Sequence, residues 1–411
     1  MCRITLYLMM LALAALSSSL AWAQQRSASA DGFYRAAAQA EQARNANRIE
    51  EAIGLYRKAV SLRPRWAEGW WYLGTLLYDQ DAFADAAAAL GKATALSPGF
   101  GTAWVMLGLC EFKLHRYDDA LKHIQQGRRL GTNDDPQFRQ VMFYHEAILL
   151  LGKSEFERAQ ETLDQMSRDG IENQDVIIAL GLSILRIRFS ELLAGDSARR
   201  ELARRAGWAE HLAAQKKFDQ ALSEYNKLAT DFPKTPNVHY AYGRFLLTIN
   251  EDEKAIEAFK REIENDPKHL MSHLRIADTK LRLKDAAGGL PYAEEAVRLR
   301  PQLPLGHYLL GLLLLETGQT ARAITELEIA RRLMPDEPKI HFALGRAYQL
   351  ANRKQEAAAA RATFARLTKQ AEEAGKKPEA NQEIQSPSTG SSGQAQSGRS
   401  GVAAKGTKRK H

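Results

Sequence analysis

Residues thirty-four positions apart recur as the same type along most of this chain. Leu73-Gly74 returns as Leu107-Gly108, Trp70 as Trp104 and Ala86 as Ala120. Backwards along the chain, Ala86 returns as Ala52 and Pro98 as Pro64. The second half carries the same comb: Pro233, Pro267, Pro301 and Pro335, then Ala221, Ala255, Gly289, Ala323 and Ala357, then Gly243, Ala277, Gly311 and Gly345. A fixed period of this length marks a stack of small units, each contacting only its neighbours.

Each slot of the comb has a physical reason. The stretch from Glu68 to Pro98 reads as two amphipathic helices joined by Asp79-Gln80-Asp81, a linker short enough for an antiparallel helix hairpin. Gly74 and Ala86 are small where the two helices cross, and a larger side chain there would hold the backbones apart. Leu73, Leu90 and Ala93 lie on the buried stripe. Pro98 stops the second helix, because proline lacks an N–H and clashes with the preceding turn. Ala and Leu are abundant while Val, Ile and Thr runs are scarce, which favours helix over sheet throughout.

Large and small residues recurring together at these offsets make the chain resemble the tetratricopeptide repeat (TPR), a two-helix unit, from about Phe33 to Gln370. The resemblance implies an all-α fold, a right-handed α-solenoid of about ten antiparallel helix pairs. It suggests an exported, bacterial-type member. Three copies in register run from Phe33 to Asp134 and five from Leu202 to Ala371. The 67 residues between them are one short of two repeats. Their first half keeps the pattern at Ala147, Ala159 and Leu163; the stretch from Gln174 to Glu201 departs most and reads as degenerate. Gly288-Gly289-Leu290-Pro291 also departs, so an offset or kink is expected there.

The expected organisation is an export signal at 1–23, an N-terminal repeat block at 24–134, degenerate repeat-like helices at 135–201, a C-terminal block at 202–371 and a disordered basic tail at 372–411. Arg3, the apolar run from Ile4 to Leu20 and the small-x-small site Ala21-Trp22-Ala23 predict cleavage before Gln24 and a periplasmic or secreted protein. Ser17, Ser18 and Ser19 interrupt the apolar run that an uncleaved anchor would need. Cys110 is then the one cysteine left, so no internal disulfide can form, and its apolar helical neighbours make it a small buried hydrophobe. The tail is rich in Ser, Gly and Gln and ends on Lys405, Lys408, Arg409 and Lys410, which could touch acidic surfaces weakly. The net charge is +8, but only about +4 falls on the repeats, which argues against specific nucleic-acid binding.

Two patterns imitate chemistry. Ala147 to Ser154 has the outline of a phosphate-binding loop, but its variable positions are Ile and Leu on a helix, where the amides are already used. Gly152-Lys153-Ser154 reads instead as the turn between two helices. His239, His273, His307 and His341 stand one repeat apart. Neighbouring helices lie about 8–10 Å apart, too far for consecutive rungs to share a zinc ion with ligands at about 2 Å. These histidines occupy the slot of Trp70 and Trp104, so an aromatic-like packing role is expected. No H-E-x-x-H, G-x-S-x-G or paired C-x-x-C occurs in the sequence, and no cofactor, metal or catalytic residue is assigned.

In the family, the first helix of each pair lines a concave surface. The matching face carries Glu68, Trp71, Thr75 and Tyr78, then Val105, Leu109 and Phe112. In the second block it carries Tyr240 and Arg244, then Tyr308, then Phe342 and Arg346. Trp71, Tyr78, Phe112, Tyr240, Arg244, Tyr308, Phe342 and Arg346 are therefore the expected partner-binding residues, since aromatics and Arg dominate binding hot spots. A basic, Asn-rich clamp for acidic peptide ends is not carried over, because the first repeat places Ala37 and Glu41 on that face. The expected function is a non-catalytic scaffold for peptide or helical segments of protein partners. The alternatives are an envelope assembly or polymer-export factor on the same scaffold, and an enzyme with an unrecognised site.

Overall fold

Helix ends decide this architecture, and they repeat as strictly as the apolar residues. In the computed structural model, residues 31–132, 135–192 and 196–373 are described. The expected export segment and nearly all of the expected tail lie outside them. Every described element is an α-helix or a connecting turn. Helix α1 covers 31–45. It is followed by α2 (Ile49–Leu62), α3 (Ala67–Asp79), α4 (Phe83–Leu96), α5 (Gly101–Lys113), α6 (Tyr117–Leu130), α7 (Pro136–Gly152) and α8 (Phe156–Arg168). Then come α9 (Gln174–Ile184), α10 (Phe189–Leu192), α11 (Ser197–Ala214) and α12 (Phe218–Asp231). The remainder are α13 (Val238–Thr248), α14 (Asp252–Asn265), α15 (Leu270–Arg282), α16 (Ala286–Leu299), α17 (Pro304–Glu316), α18 (Thr320–Leu333), α19 (Pro338–Leu350) and α20 (Lys354–Glu373). Among the described residues these form ten consecutive pairs, and only the fifth has a stunted second helix, the four-residue α10.

The turn inside a pair is built the same way each time. After α3, Asp81 takes φ 55°. Its N–H donates to the Tyr78 carbonyl at 3.0 Å and that of Ala82 to Leu77 at 2.9 Å. This is the Schellman arrangement, which satisfies carbonyls that the helix end would leave orphaned. The left-handed residue recurs at Asn47, Asp81 and His115, then at Lys216, Asn250, Lys284, Gly318 and Asn352. Glycine supplies it once; elsewhere a side chain accepts a strained backbone because the turn has no other geometry.

The chain divides into two units, one ending at Pro233 and the other beginning at Lys234. The first contains α1 to α12. Its core at the front is Tyr56, Leu73, Leu77 and Leu90, and further on Ile124, Leu150, Leu163 and Leu180. Cys110 is a buried free thiol whose pKa burial raises to about 12, as expected of an inert hydrophobe. The stretch read as degenerate is a direct crossing of α9 on α11. A Cβ on Gly181 would fall 1.7 Å from the Ala203 carbonyl oxygen, and one on Gly207 would fall 1.8 Å from that of Ile177. With its second helix reduced to α10, α9 packs on its neighbour through bare backbone.

The second unit contains α13 to α20, with a core running from Leu274 and Phe259 to Leu313, Leu327 and Leu344. Helix α16 runs through Pro291 as one helix. Asp285 accepts from the Gly288 N–H at 3.0 Å, and buried Gly289 keeps the comb position against Leu313.

Candidate functional site

The inner helices of the first unit carry a row of half-buried aromatics. Trp70 and Trp71, adjacent in α3, do different things. The Trp70 indole N–H donates to the Pro64 carbonyl at 2.8 Å. The Trp71 ring stands edge-on to Phe100, with centroids 4.9 Å apart. Tyr78 lies edge-on to Phe83 at 5.4 Å, and burial raises its hydroxyl pKa. Phe112 meets His145 at 4.8 Å and Tyr117 at 5.7 Å. Val105 and Leu109, on the same expected face, are closed off at 0% and 3% exposure. The apolar residues of this face that stay partly open are thus aromatic, while the aliphatics belong to the core.

The indole slot explains the histidine ladder. Trp104 Nε1 donates to the Pro98 carbonyl at 2.9 Å. In the second unit His273, His307 and His341 each bond through Nε2 to the carbonyl of the proline six residues earlier, at 3.0, 2.9 and 2.7 Å. A carbonyl only accepts, so Nε2 carries the proton. In these five copies the slot is filled by a flat ring with an N–H on one edge, which Trp and His share. Among the described residues, no group of three His, Cys, Asp or Glu is placed to hold a metal ion.

The other chemical look-alike is also structural. Ile148 to Leu151 are buried inside α7, which ends at Gly152. Ser154 takes the left-handed turn position at φ 61°, and Lys153 pairs with Asp118 at 2.5 Å.

In the second unit the predicted residues part company. Tyr240 is 2% exposed, between Phe259 at 5.8 Å and His269 at 5.0 Å. The expectation that it faces a partner is corrected here. Helix α13 begins late, after Asn237 at φ 67°, and the fully buried Glu262 of α14 accepts from the amides of Asn237 (2.7 Å) and Tyr240 (3.1 Å). That capping draws the start of α13 inward and takes Tyr240 with it. Arg244 is half-buried. Tyr308 is half-buried, and burial pushes its hydroxyl up to about 12. Phe342 is 52% exposed, against Phe364 at 5.4 Å, and Arg346 is exposed, paired with Glu316 at 3.1 Å.

Two residues here were not anticipated. Arg275 is 4% exposed in α15, with its guanidinium pKa lowered by burial. Asp278, one turn on, is held above the ordinary carboxylate value by burial, against the opposing pull of Arg275, Arg282 and Lys339. The comb contained the signal: Arg275 stands where the other copies have Ala241, Leu309 and Ala343. A charge at an apolar slot marks a deliberate polar contact.

Comparison with known proteins agrees with the repeat. Family models described as tetratricopeptide repeat match residues 37–99, 77–142, 207–269, 274–328 and 308–372. Together these take in more than half of the chain. A curated relative, anaphase-promoting complex subunit 3 of Schizosaccharomyces pombe, is 26% identical over 141 residues, covering 33% of this chain and 21% of its own length. The chain therefore matches about a fifth of that protein. Among solved structures, the MamA RS-1 ArsTM double mutant is similar at 22% identity, over 42% of this chain and 97% of that one, with a TM-score of 0.40. MamA 41-end from Desulfovibrio magneticus RS-1 is similar at 23% identity, over 42% and 96%, with a TM-score of 0.38. At these scores neither likeness bears on function.

Proposed function

This chain belongs to the tetratricopeptide-repeat family, and from that premise we propose that it is a non-catalytic scaffold binding peptide or helical segments of other proteins. Such segments would lie along the inner helices of its pairs. One observation carries the reading. Trp71, Tyr78 and Phe112 stay partly open on successive inner helices of the first unit, while the aliphatic residues of the same face are buried. Large rings with partial exposure supply contact area at low entropic cost, which is how few residues dominate an interface. In the second unit Arg244, Tyr308, Phe342 and Arg346 remain candidates for the same role.

The reading is tested by capturing partners of the parent chain by crosslinking in its native envelope and repeating the capture with Trp71→Ala. Partners retained at full yield by the variant would count against the inner face. We place the working protein outside the cytoplasm, periplasmic or secreted, on the strength of Arg3, the apolar run and Ala21-Trp22-Ala23. N-terminal sequencing of native protein should return Gln24; Met1 or Cys2 would overturn that placement.

A further inference from the structure

Within the second unit α17 packs on α15, and α19 on α17. The same comb position records this packing. Leu274 of α15 is 0% exposed, Tyr308 of α17 is half-buried, and Phe342 of α19 is 52% exposed. Among the described residues no further inner helix covers α19. Leu350, two turns beyond Phe342, is 63% exposed and stands where earlier copies carry Glu316 and Arg282. Helix α20 completes the face. Its exposed Ala358, Ala362 and Ala365 replace Ile324, Glu328 and Arg331 of α18. In α18 this side meets the next inner helix, since Glu328 accepts from the Tyr348 hydroxyl at 2.7 Å. Small, exposed residues there stand on the helix beside the one that carries two open apolar anchors, Phe342 and Leu350.

We propose that this end face docks an amphipathic helix with acidic flanks from a partner protein, seated where a further inner helix would lie. The proposal rests on the protein-binding reading above, but not on the Trp71 surface. Phe342 and Leu350 are eight residues apart on one helix, about 12 Å at 1.5 Å per residue. That spacing matches an apolar stripe two turns long. Charge selects the occupant. From 338 to 373 there are seven Lys and Arg against three Glu. Lys339, Arg346 and Arg361 are exposed there; Arg346 also meets Glu316, and Arg361 donates to Gln349. The same charge argues against two other occupants. Residues 374–411 carry seven Lys and Arg against two Glu, with Ile384 and Val402 their only large aliphatics. A second copy would bring the same cationic face. Like charge across an interface repels, and opposite charge steers and aligns.

The test uses the full chain and a fluorescent synthetic helix with a leucine stripe flanked by glutamates, read by anisotropy. The probe should bind, more weakly as salt rises. Leu350→Ser should weaken it by at least about tenfold without moving the thermal melt, and Phe342→Ser should weaken it by as much. A probe with lysines in place of glutamates should not bind, and Trp71→Ala should leave binding of the acidic probe unchanged. No binding, or equal binding by Leu350→Ser, overturns the proposal. So does a sedimenting dimer that Leu350→Ser disperses, which assigns the face to a second copy. Binding that appears only when the chain is cut after Glu373 assigns it to the chain's own end. Anionic vesicles bound by the parent and not by Leu350→Ser assign it to lipid. If native partners are lost in Trp71→Ala while the probe fails, this proposal fails alone; the reverse outcome sinks the inner-face reading alone.

Discussion

The ring N–H at the indole or imidazole slot ties α3, α5, α15, α17 and α19 each to the proline turn before it. His273 bonds the Pro267 carbonyl, and His273→Phe keeps the ring while deleting the donor. The expected loss is about 0.5–1.5 kcal/mol, the net worth of one hydrogen bond, measured by urea unfolding. His273→Trp should recover part of it if the slot accepts either ring. His307 adds a titration. Its Nδ1 lies 2.6 Å from Glu326, and this hydrogen bond raises its pKa above the ordinary 6.5, against desolvation and Arg332. A raised folded pKa means that the stabilisation is complete below the unfolded value and fades as pH rises through the folded one. Glu326→Gln should therefore lower the melting temperature in mild acid and do little in mild alkali. A deficit that grows with pH would contradict this assignment.

Helix crossings set tolerance at the scale of elements, and three glycines grade it. A Cβ on Gly54 in α2 would meet nothing within 4 Å, so Gly54→Ala should stabilise by about 0.5–1 kcal/mol through helix propensity. A Cβ on Gly311 would sit 2.6 Å from Leu327 Cγ, a side chain able to shift, and Gly311→Ala should cost roughly 1–3 kcal/mol. A Cβ on Gly181 would strike the Ala203 carbonyl, which cannot yield without moving a helix. Gly181→Ala should cost the most, and thermal melts of the three should rank in that order. The helix pairs and small-residue crossings were legible because they recur at one spacing. The Gly181–Gly207 crossing was not, because it replaces a lost helix and joins α9 to α11, off the register of the comb. The left-handed turns were hidden for a different reason: Lys216 and Lys284 do not advertise a positive φ. Asn47, Asn250, Gly318 and Asn352 at repeat spacing were the usable signal.

At the scale of the molecule, a repeat pattern names the face of a helix but not what covers it. That is why Tyr240 and Phe342, identical in register, end at 2% and 52% exposure. The central claim is that packing and binding are separated within the Trp70-Trp71 dipeptide. Trp70 is half-buried and bonded to Pro64, so Trp70→Ala should lower stability by roughly 1–3 kcal/mol. Trp71 is also half-buried, against Phe100, but makes no such bond to the turn, so Trp71→Ala should lower the melt less than Trp70→Ala and weaken partner binding by about 2 kcal/mol or more. A melt and a binding titration on both variants, with a partner captured from the native envelope, is the most direct measurement. The expected result is a larger stability loss in Trp70→Ala and a binding loss carried by Trp71→Ala. Unfolding of Trp71→Ala, or full-strength binding by it, would contradict the account.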